Sequence, residues 1–347
     1  MRPELVVYSR QSRRSRSASS RRDGDADMAG TAPTAPISTL EDLYREAERL
    51  NLSPAWIPRN PPILSESPMS EFVPALWGYK QTKAALDAAG TLIDVKFSSR
   101  RNFVMRNPFP GNNFATAKTL VCAYQMILPG EVAPSHRHSS HALRVIIDGY
   151  GAYSIVNGEK MPMDAGDVVL TPGWFYHGHG HDGDAPAYWF DGLDVPLTHL
   201  FGLTFFAEHP QKYEPIVSVT PTSPFRFTKD SIRGGLDAAL PDPEGFHGPR
   251  ITLEAPDMPP MGLNMERLFA GTKTRAQRST PNHVFQVCEG RGTSLIDDVP
   301  YVWQRGDTFA VPSWHKVEHH AAADSMLFDL SDEPLMRFSK YYRQQAD

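Results

Sequence analysis

Pro129-Gly130-Glu131-Val132-Ala133-Pro134-Ser135-His136-Arg137-His138 sets two histidines two residues apart. A second run, Gly166-Asp167-Val168-Val169-Leu170-Thr171-Pro172-Gly173-Trp174-Phe175-Tyr176-His177, ends on a third. In an extended strand, residues two apart point the same way, so His136 and His138 aim at one point inside a barrel. An imidazole from a later strand completes one face of a metal ion and leaves its other positions open. Such a face suits chemistry better than structural closure. A single buried histidine is usually a hydrogen-bonded core residue; three at this spacing are a ligand set.

The rest of the chain repeats the frame. Asp148-Gly149-Tyr150-Gly151, Gly166-Asp167, Pro172 and Trp174 recur as Glu289-Gly290-Arg291-Gly292, Gly306-Asp307, Pro312 and Trp314, offset by 141 and then 140 residues. Short apolar runs divided by Gly, Pro, Asn and Asp read as strands and tight turns. The expected fold is mainly all-β: a bicupin of two tandem cupin (jelly-roll) barrels behind an N-terminal helical segment. The expected divisions are a tail at 1–37, a helical and extended segment at 38–110, a metal-binding barrel at 111–215, a linker at 216–250, and a metal-free barrel with a C-terminal helix at 251–347. Ser38-Thr39-Leu40-Glu41 reads as a capping box that opens a helix of about three turns. In the second barrel, Gln277 and Ser279 fall at the places of His136 and His138, and Val317 at that of His177. His315, His319 and His320 lack an upstream partner pair and are expected at the surface or an interface.

Composition sets further bounds. The chain has 347 residues, 40% hydrophobic and 22% charged, with a formal net charge of −5. That balance gives no electrostatic case for nucleic-acid binding, and no apolar run approaches a membrane span. Cys122 and Cys288 lie in strand-like runs and read as reduced core thiols of a cytoplasmic protein, with a single buried bridge as the alternative. Arginines 2, 10, 13, 14, 16, 21 and 22 crowd the start of the chain among serines. This stretch has no apolar periodicity; it is expected to be a disordered tail, or an extension ahead of a start at Met28.

Around the three histidines, other residues carry chemistry. After His138 come Ser139, Ser140, His141, Ala142 and Leu143. No carboxylate joins the ligand set, so a bound divalent ion keeps its full charge and attracts anionic chelators. Iron, zinc, nickel and copper all accept such imidazoles. Arg144 alternates onto the inward face, where it either meets a substrate carboxylate or forms a salt bridge with Asp148 or Asp191. His179 and His181 follow His177 at spacing two; His179, nearer the metal, is the candidate acid, base or hydrogen-bond donor. Trp189 and Asp191 offer an aromatic wall and an orienting carboxylate, and Gln125 a hydrogen bond to a ligand.

These residues resemble the gentisate and salicylate 1,2-dioxygenases, a family that includes 1-hydroxy-2-naphthoate dioxygenase. The resemblance runs from about residue 38 to the C-terminus. It is carried by residues 129–138, by Asp191-Gly192-Leu193-Asp194-Val195-Pro196-Leu197, by Arg100-Arg101 before Asn107-Pro108, and by Val311-Pro312-Ser313-Trp314-His315. It implies one mononuclear Fe(II) per chain at His136, His138 and His177, a homotetramer, and substrate contacts from Arg100, Gln125, Arg144, His179, Trp189 and Asp191. The family commonly has an aromatic residue where this chain has Val121. Valine enlarges the pocket and leaves room for a bulkier substituent than gentisate carries.

The resulting expectation is an Fe(II)-dependent enzyme of aromatic catabolism that uses O2. It opens a salicylate-type ring (gentisate, 5-nitro- or 5-chlorosalicylate) between the carboxyl- and hydroxyl-bearing carbons. The alternatives are another metal-dependent cupin enzyme, an isomerase or a non-aromatic dioxygenase, and a non-catalytic ligand-binding bicupin.

Overall fold

The computed structural model of the protein describes residues 36–93 and 100–346; the expected tail falls almost wholly outside them. Contacts divide the chain into a unit ending at Leu64 and a second spanning Ser65–Asp347. In the first, α1 (Leu40–Arg49) begins one residue later than the sequence suggests. Its N-cap is Thr39, whose hydroxyl accepts from Asp42 N at 3.1 Å while the Asp42 carboxylate accepts from Thr39 N at 3.1 Å. The pair Thr39/Asp42 closes the capping box that Ser38/Glu41 was expected to form, because one carboxylate here takes donors from both Ser38 and Thr39.

The second unit opens with β1 (Ala75–Trp77), α2 (Tyr79–Leu92) and β2 (Arg101–Val104). The strands β3 (Val121–Ile127), β4 (Val132–His138), β5 (Ala142–Asp148), β6 (Ala152–Val156), β7 (Glu159–Pro162), β8 (Val168–Thr171), β9 (His177–His181) and β10 (Ala187–Leu193) follow, then α3 (Val195–Leu200). The span expected as a linker holds β12 (Ser218–Val219), β13 (Arg226–Phe227) and α4 (Lys229–Ala238), after β11 (Phe206–Glu208). The second half then runs through β14 (Arg250–Thr252), β15 (Gly262–Leu268), β16 (Gln277–Ser279), β17 (His283–Glu289), β18 (Arg291–Ile296), β19 (Val299–Gln304), β20 (Thr308–Val311), β21 (Val317–Ala321) and β22 (Ser325–Ser331). It ends with α5 (Glu333–Phe338) and β23 (Gln344–Ala346).

Four sheets make two barrels. The first barrel pairs the sheet β13-β8-β5-β10-β3-β2 with β11-β4-β9-β6-β7-β12; the second pairs β1-β20-β17-β22-β15-β14 with β19-β18-β21-β16-β23. The sheets that contain β5 and β17 share one apolar core, where Cys122, Tyr124, Leu143, Val145 and Phe190 meet Leu263, Met265, Val284, Phe328 and Leu330. Alternation therefore turns Val121, Ala123 and Gln125, then Arg144, then Trp189 and Asp191 away from that core, into the first barrel. Ile127, Ile146 and Trp189 pack there in a separate cluster. Both faces of these strands are buried, so β3 reads as a continuous apolar run interrupted by one glutamine. Both cysteines are free thiols.

The barrels exchange their edge strands. β1, which leads into the first barrel, pairs with β20 of the second; β13, which leads into the second, pairs with β8 of the first. The helices that follow repeat the exchange. Asp307 Oδ1 accepts from Tyr79 N at the start of α2 (2.8 Å), and Asp167 Oδ1 accepts from Lys229 N at the start of α4 (3.0 Å). Each helix start lies against a glycine at positive φ, Gly306 (90°) and Gly166 (96°). An added Cβ would overlap the Tyr79 ring or the Lys229 chain. The repeat thus begins with these strands and helices, upstream of any motif visible in the sequence.

Asp167 also holds the buried Arg226 guanidinium at 2.5 Å, whereas Asp307 supports only backbone donors. Asp167→Ala leaves the Arg226 guanidinium only its Asp164 ion pair at 2.9 Å, besides freeing the backbone donors, and is expected to cost about 2–4 kcal/mol. Asp307→Ala leaves unmet N–H groups and should cost about 1–3 kcal/mol. Urea unfolding of the two variants measures both; equal losses would show that the Arg226 pair contributes nothing.

Candidate metal centre

His136 and His138 lie on β4 and His177 opens β9, with His136 and His177 paired across the two strands. One ring nitrogen of each comes within 4.8 Å of the others. The carbonyls of Ser140 and Phe175 sit 2.8 and 3.1 Å from Nδ1 of His138 and His177. Carbonyls only accept, so these nitrogens carry the hydrogen and both Nε2 atoms present lone pairs. His177 Nε2 is buried without a hydrogen-bond partner. Burial, then the charge of Arg100, depresses the His136 pKa to about 2; burial, against the Ser140 hydrogen bond, lowers His138 to about 4. Neutral imidazoles with inward lone pairs and an orphaned buried nitrogen fit a divalent metal ion.

The sequence Gly178-His179-Gly180 is explained by what crosses the outer face of β9. A side chain at 178 would meet the Ser135 hydroxyl, and one at 180 the Tyr153 ring. Glycine there lets the outer layer close down while His177 and His179 face inward. His181 does not join them, since its Nε2 lies 2.6 Å from Ala185 O and its Nδ1 accepts from Gly183 N at 3.1 Å. Both nitrogens are spent on the turn.

Of the two alternatives for Arg144, the Asp191 contact is present. Nε lies 3.2 Å from Asp191 Oδ1, and Thr171 takes a further guanidinium hydrogen bond. The same guanidinium stays close enough to His136, His138, His177 and His179 for its charge to lower their pKa values. Arg100 reaches the same group; burial, then Arg144, brings its pKa down to about 10, so it remains a cation. Burial pushes Asp191 up to about 6 against the pull of Arg144, and Trp189 Nε1 donates to it at 3.0 Å. The charges of both guanidiniums act on the Asp191 carboxylate. The neighbouring Arg101 points the other way and is paired with Glu131 at 2.6 Å.

Trp189 pairs with Gln125 across β10 and β3, Asp191 with Ala123, and Leu193 with Val121. Gln125, Trp189, Asp191 and Val121 therefore lie on one face of this sheet, Val121 towards the end nearest Leu193. Beside His138 a cleft of about 400 Å³, lined by Leu193, Thr198, Thr204, Phe205 and Phe206, opens to solvent. Phe206 stacks on His136 with ring centroids 5.0 Å apart. Sequence reasoning missed it, since it arrives on β11 from a distant segment with no pattern of its own. Thr171 was also missed, although it lies at the inward parity of β8.

In the second barrel, Gln277 pairs with Val317 in the register that joins His136 to His177. Phe285 stands at the place of Arg144, stacked on Phe309 and edge-on to His319 at 5.0 Å. His319 is buried, correcting its expected surface position; its Nδ1 lies 2.8 Å from Ser294 Oγ. The alternation of β21 turns it inward. His315 and His320 are partly exposed and pair with Asp297 and Glu318.

A two-barrel chain with a histidine triad in one barrel and an aromatic plug in the other defines a bicupin metalloenzyme. A cupin-domain model matches residues 123–195. The chain is 33% identical to gentisate 1,2-dioxygenase 1 of Aquipseudomonas alcaligenes, over 92% of this chain and the whole of that protein. It is 29% identical to the 5-aminosalicylate 1,2-dioxygenase of a Comamonas species, over 91% of this chain and 92% of that one. Salicylate 1,2-dioxygenase from Pseudoaminobacter salicylatoxidans, solved with gentisate, superposes with a TM-score of 0.82 at 27% identity, covering 90% of this chain and 96% of its own. The chain belongs to the gentisate and salicylate 1,2-dioxygenase family and is a dioxygenase.

One metal ion per chain is expected by elemental analysis. His136→Ala or His177→Ala should remove it, because two imidazoles hold a divalent ion far less firmly than three, and His315→Ala or His319→Ala should not. Two ions per wild-type chain would overturn the assignment to one barrel.

Proposed function

We propose that the enzyme opens the ring of a 5-substituted salicylate between the carboxyl- and hydroxyl-bearing carbons. Both atoms of O2 enter an oxo-dicarboxylate product. The observation that carries this reading is the lining of the pocket: neutral imidazoles stand beside the buried Arg144 guanidinium, and the charge of Arg100 reaches the same group. Such a pocket calls for an anionic, chelating ligand, and the relatives named above act on 2-hydroxybenzoates. We assign Fe(II) to His136, His138 and His177, where it supplies, when bound, the open positions at which chelating oxygens and dioxygen meet.

The chain's own residues bind and orient. Arg144, held flat by Asp191 and Thr171, offers its remaining donors to the substrate carboxylate, and Arg100 adds a second positive charge. Gln125 hydrogen-bonds the ring substituents and Trp189 forms the wall against which the ring lies. His179, kept neutral by burial and the charge of Arg144, receives the ring hydroxyl's proton. Val121 leaves space at the far end for the 5-substituent. We further propose a homotetramer in the cytoplasm. The exposed apolar run Leu200, Phe201, Leu203 and Phe206 is surface for another copy to cover, and two free thiols suit a reducing compartment.

The test is oxygen uptake by anaerobically iron-loaded enzyme with gentisate, salicylate, 5-chloro- and 5-nitrosalicylate and 1-hydroxy-2-naphthoate. No uptake with any of them would sink the assignment and leave an isomerase or a binding protein. Arg144→Lys keeps the charge but loses the planar fork. KM should rise about 10- to 100-fold, the equivalent of one charge-assisted hydrogen bond, with iron content unchanged. Loss of iron at constant KM would refute that role.

Val121→Trp tests the pocket's size. Overpacking costs about 1–3 kcal/mol, so kcat/KM for the 5-chloro and 5-nitro substrates should fall further than for salicylate. A uniform fall in a folded, iron-loaded variant would remove Val121 from the selectivity argument.

A further inference from the structure

Behind His179 stands a residue that the reading above leaves unused. Ser154, wholly buried on β6, pairs directly with His179 of β9. Its Oγ lies 3.2 Å from His179 Nδ1 and 3.5 Å from Gly178 O, while His179 Nε2 is buried with no hydrogen-bond partner. Two proton arrangements fit these distances. In one, the serine hydrogen goes to Nδ1, and Nε2 then carries a hydrogen that points unmet into the pocket. In the other, Nδ1–H donates to Oγ, the hydroxyl donates to Gly178 O, and Nε2 presents a lone pair.

The surroundings choose between them. The first arrangement buries an Nε2–H that has no acceptor, whereas the second leaves no donor unmet on the Ser154–His179 pair, since the hydroxyl reaches Gly178 O.

The second barrel supplies the contrast. There Ser294 Oγ lies 2.8 Å from His319 Nδ1 and also accepts from Trp303 Nε1 at 2.9 Å. The place of Trp303 is taken in the first barrel by Met163, whose amide bonds to Ala152 as the Trp303 strand pairs with Gly292. The indole hydrogen takes one of the two lone pairs of the Ser294 oxygen. Met163 offers no such donor, so both lone pairs of Ser154 are open to accept.

We propose that Ser154 is a positioning residue that fixes His179 as its Nδ1–H tautomer, so that Nε2 faces the substrate as a proton acceptor. This rests on the role given to His179 above. The pair is retained in both barrels as part of the strand pairing, with a third partner in the second barrel alone.

Two measurements test it. In full-length metal-free protein labelled with ¹⁵N-histidine, the His179 ring resonances, assigned by difference against His179→Ala, should show Nδ1 protonated and Nε2 bare. An Nε2–H ring overturns the proposal whatever the enzyme turns over. In iron-loaded enzyme, Ser154→Ala should lower kcat for the best salicylate at least ten-fold, with KM and iron content within two-fold of wild type. In a His179→Ala background the same change should alter kcat by less than two-fold, since Ser154 acts only through the imidazole. Equal losses in both backgrounds, or an active wild type matched by Ser154→Ala, would refute it. A wild type inactive on every salicylate would instead strike the proposed function and leave the ring-nitrogen result standing.

Discussion

Everything in the first barrel depends on the apolar core that its β5-containing sheet shares with the β17-containing sheet of the second barrel. Because Cys122, Tyr124, Leu143, Val145 and Phe190 are committed to that core, the period of two leaves their neighbours no choice of direction. Gln125, Arg144, Trp189 and Asp191 are turned into the pocket by the packing of residues that take no part in the chemistry. A register slip of one residue would bury Arg144 against the other barrel and aim leucine and valine at the metal.

The same geometry sets the electrostatics. Desolvation keeps the imidazoles neutral and so available as ligands, and it strengthens the pull of the Arg144 guanidinium on any anion that enters. The Asp191 contact with Arg144, weighed at first as a rival to substrate binding, is compatible with it: one edge of the guanidinium is held so that its plane is fixed. Orientation and charge are supplied by different partners of the same side chain.

The triad and its inward arginine were legible in the sequence because they obey local rules, spacing of two along strands and a repeat marked by turn glycines. The lack of a matching triad in the second barrel was legible for the same reason, with Gln277 and Val317 in the register of His136 and His177. What escaped was set by distant partners. β1 and β13 are too short to carry a periodic signal, so the span 216–250 reads as a linker although it builds part of the first barrel. Phe206 and the burial of His319 depend on strands paired across the fold, and no window around either residue reports them. The shift of the α1 cap from Ser38 to Thr39 is a local ambiguity, two hydroxyls competing for one carboxylate.

The exchange of edge strands has a consequence for how such a chain came to be. Each barrel is finished by a strand and helix encoded ahead of the other barrel. That is the connectivity two single barrels would have if they swapped strands and were joined end to end. The barrel with the triad is closed by a strand encoded just ahead of the barrel without one. Neither half can be cut away without opening the other.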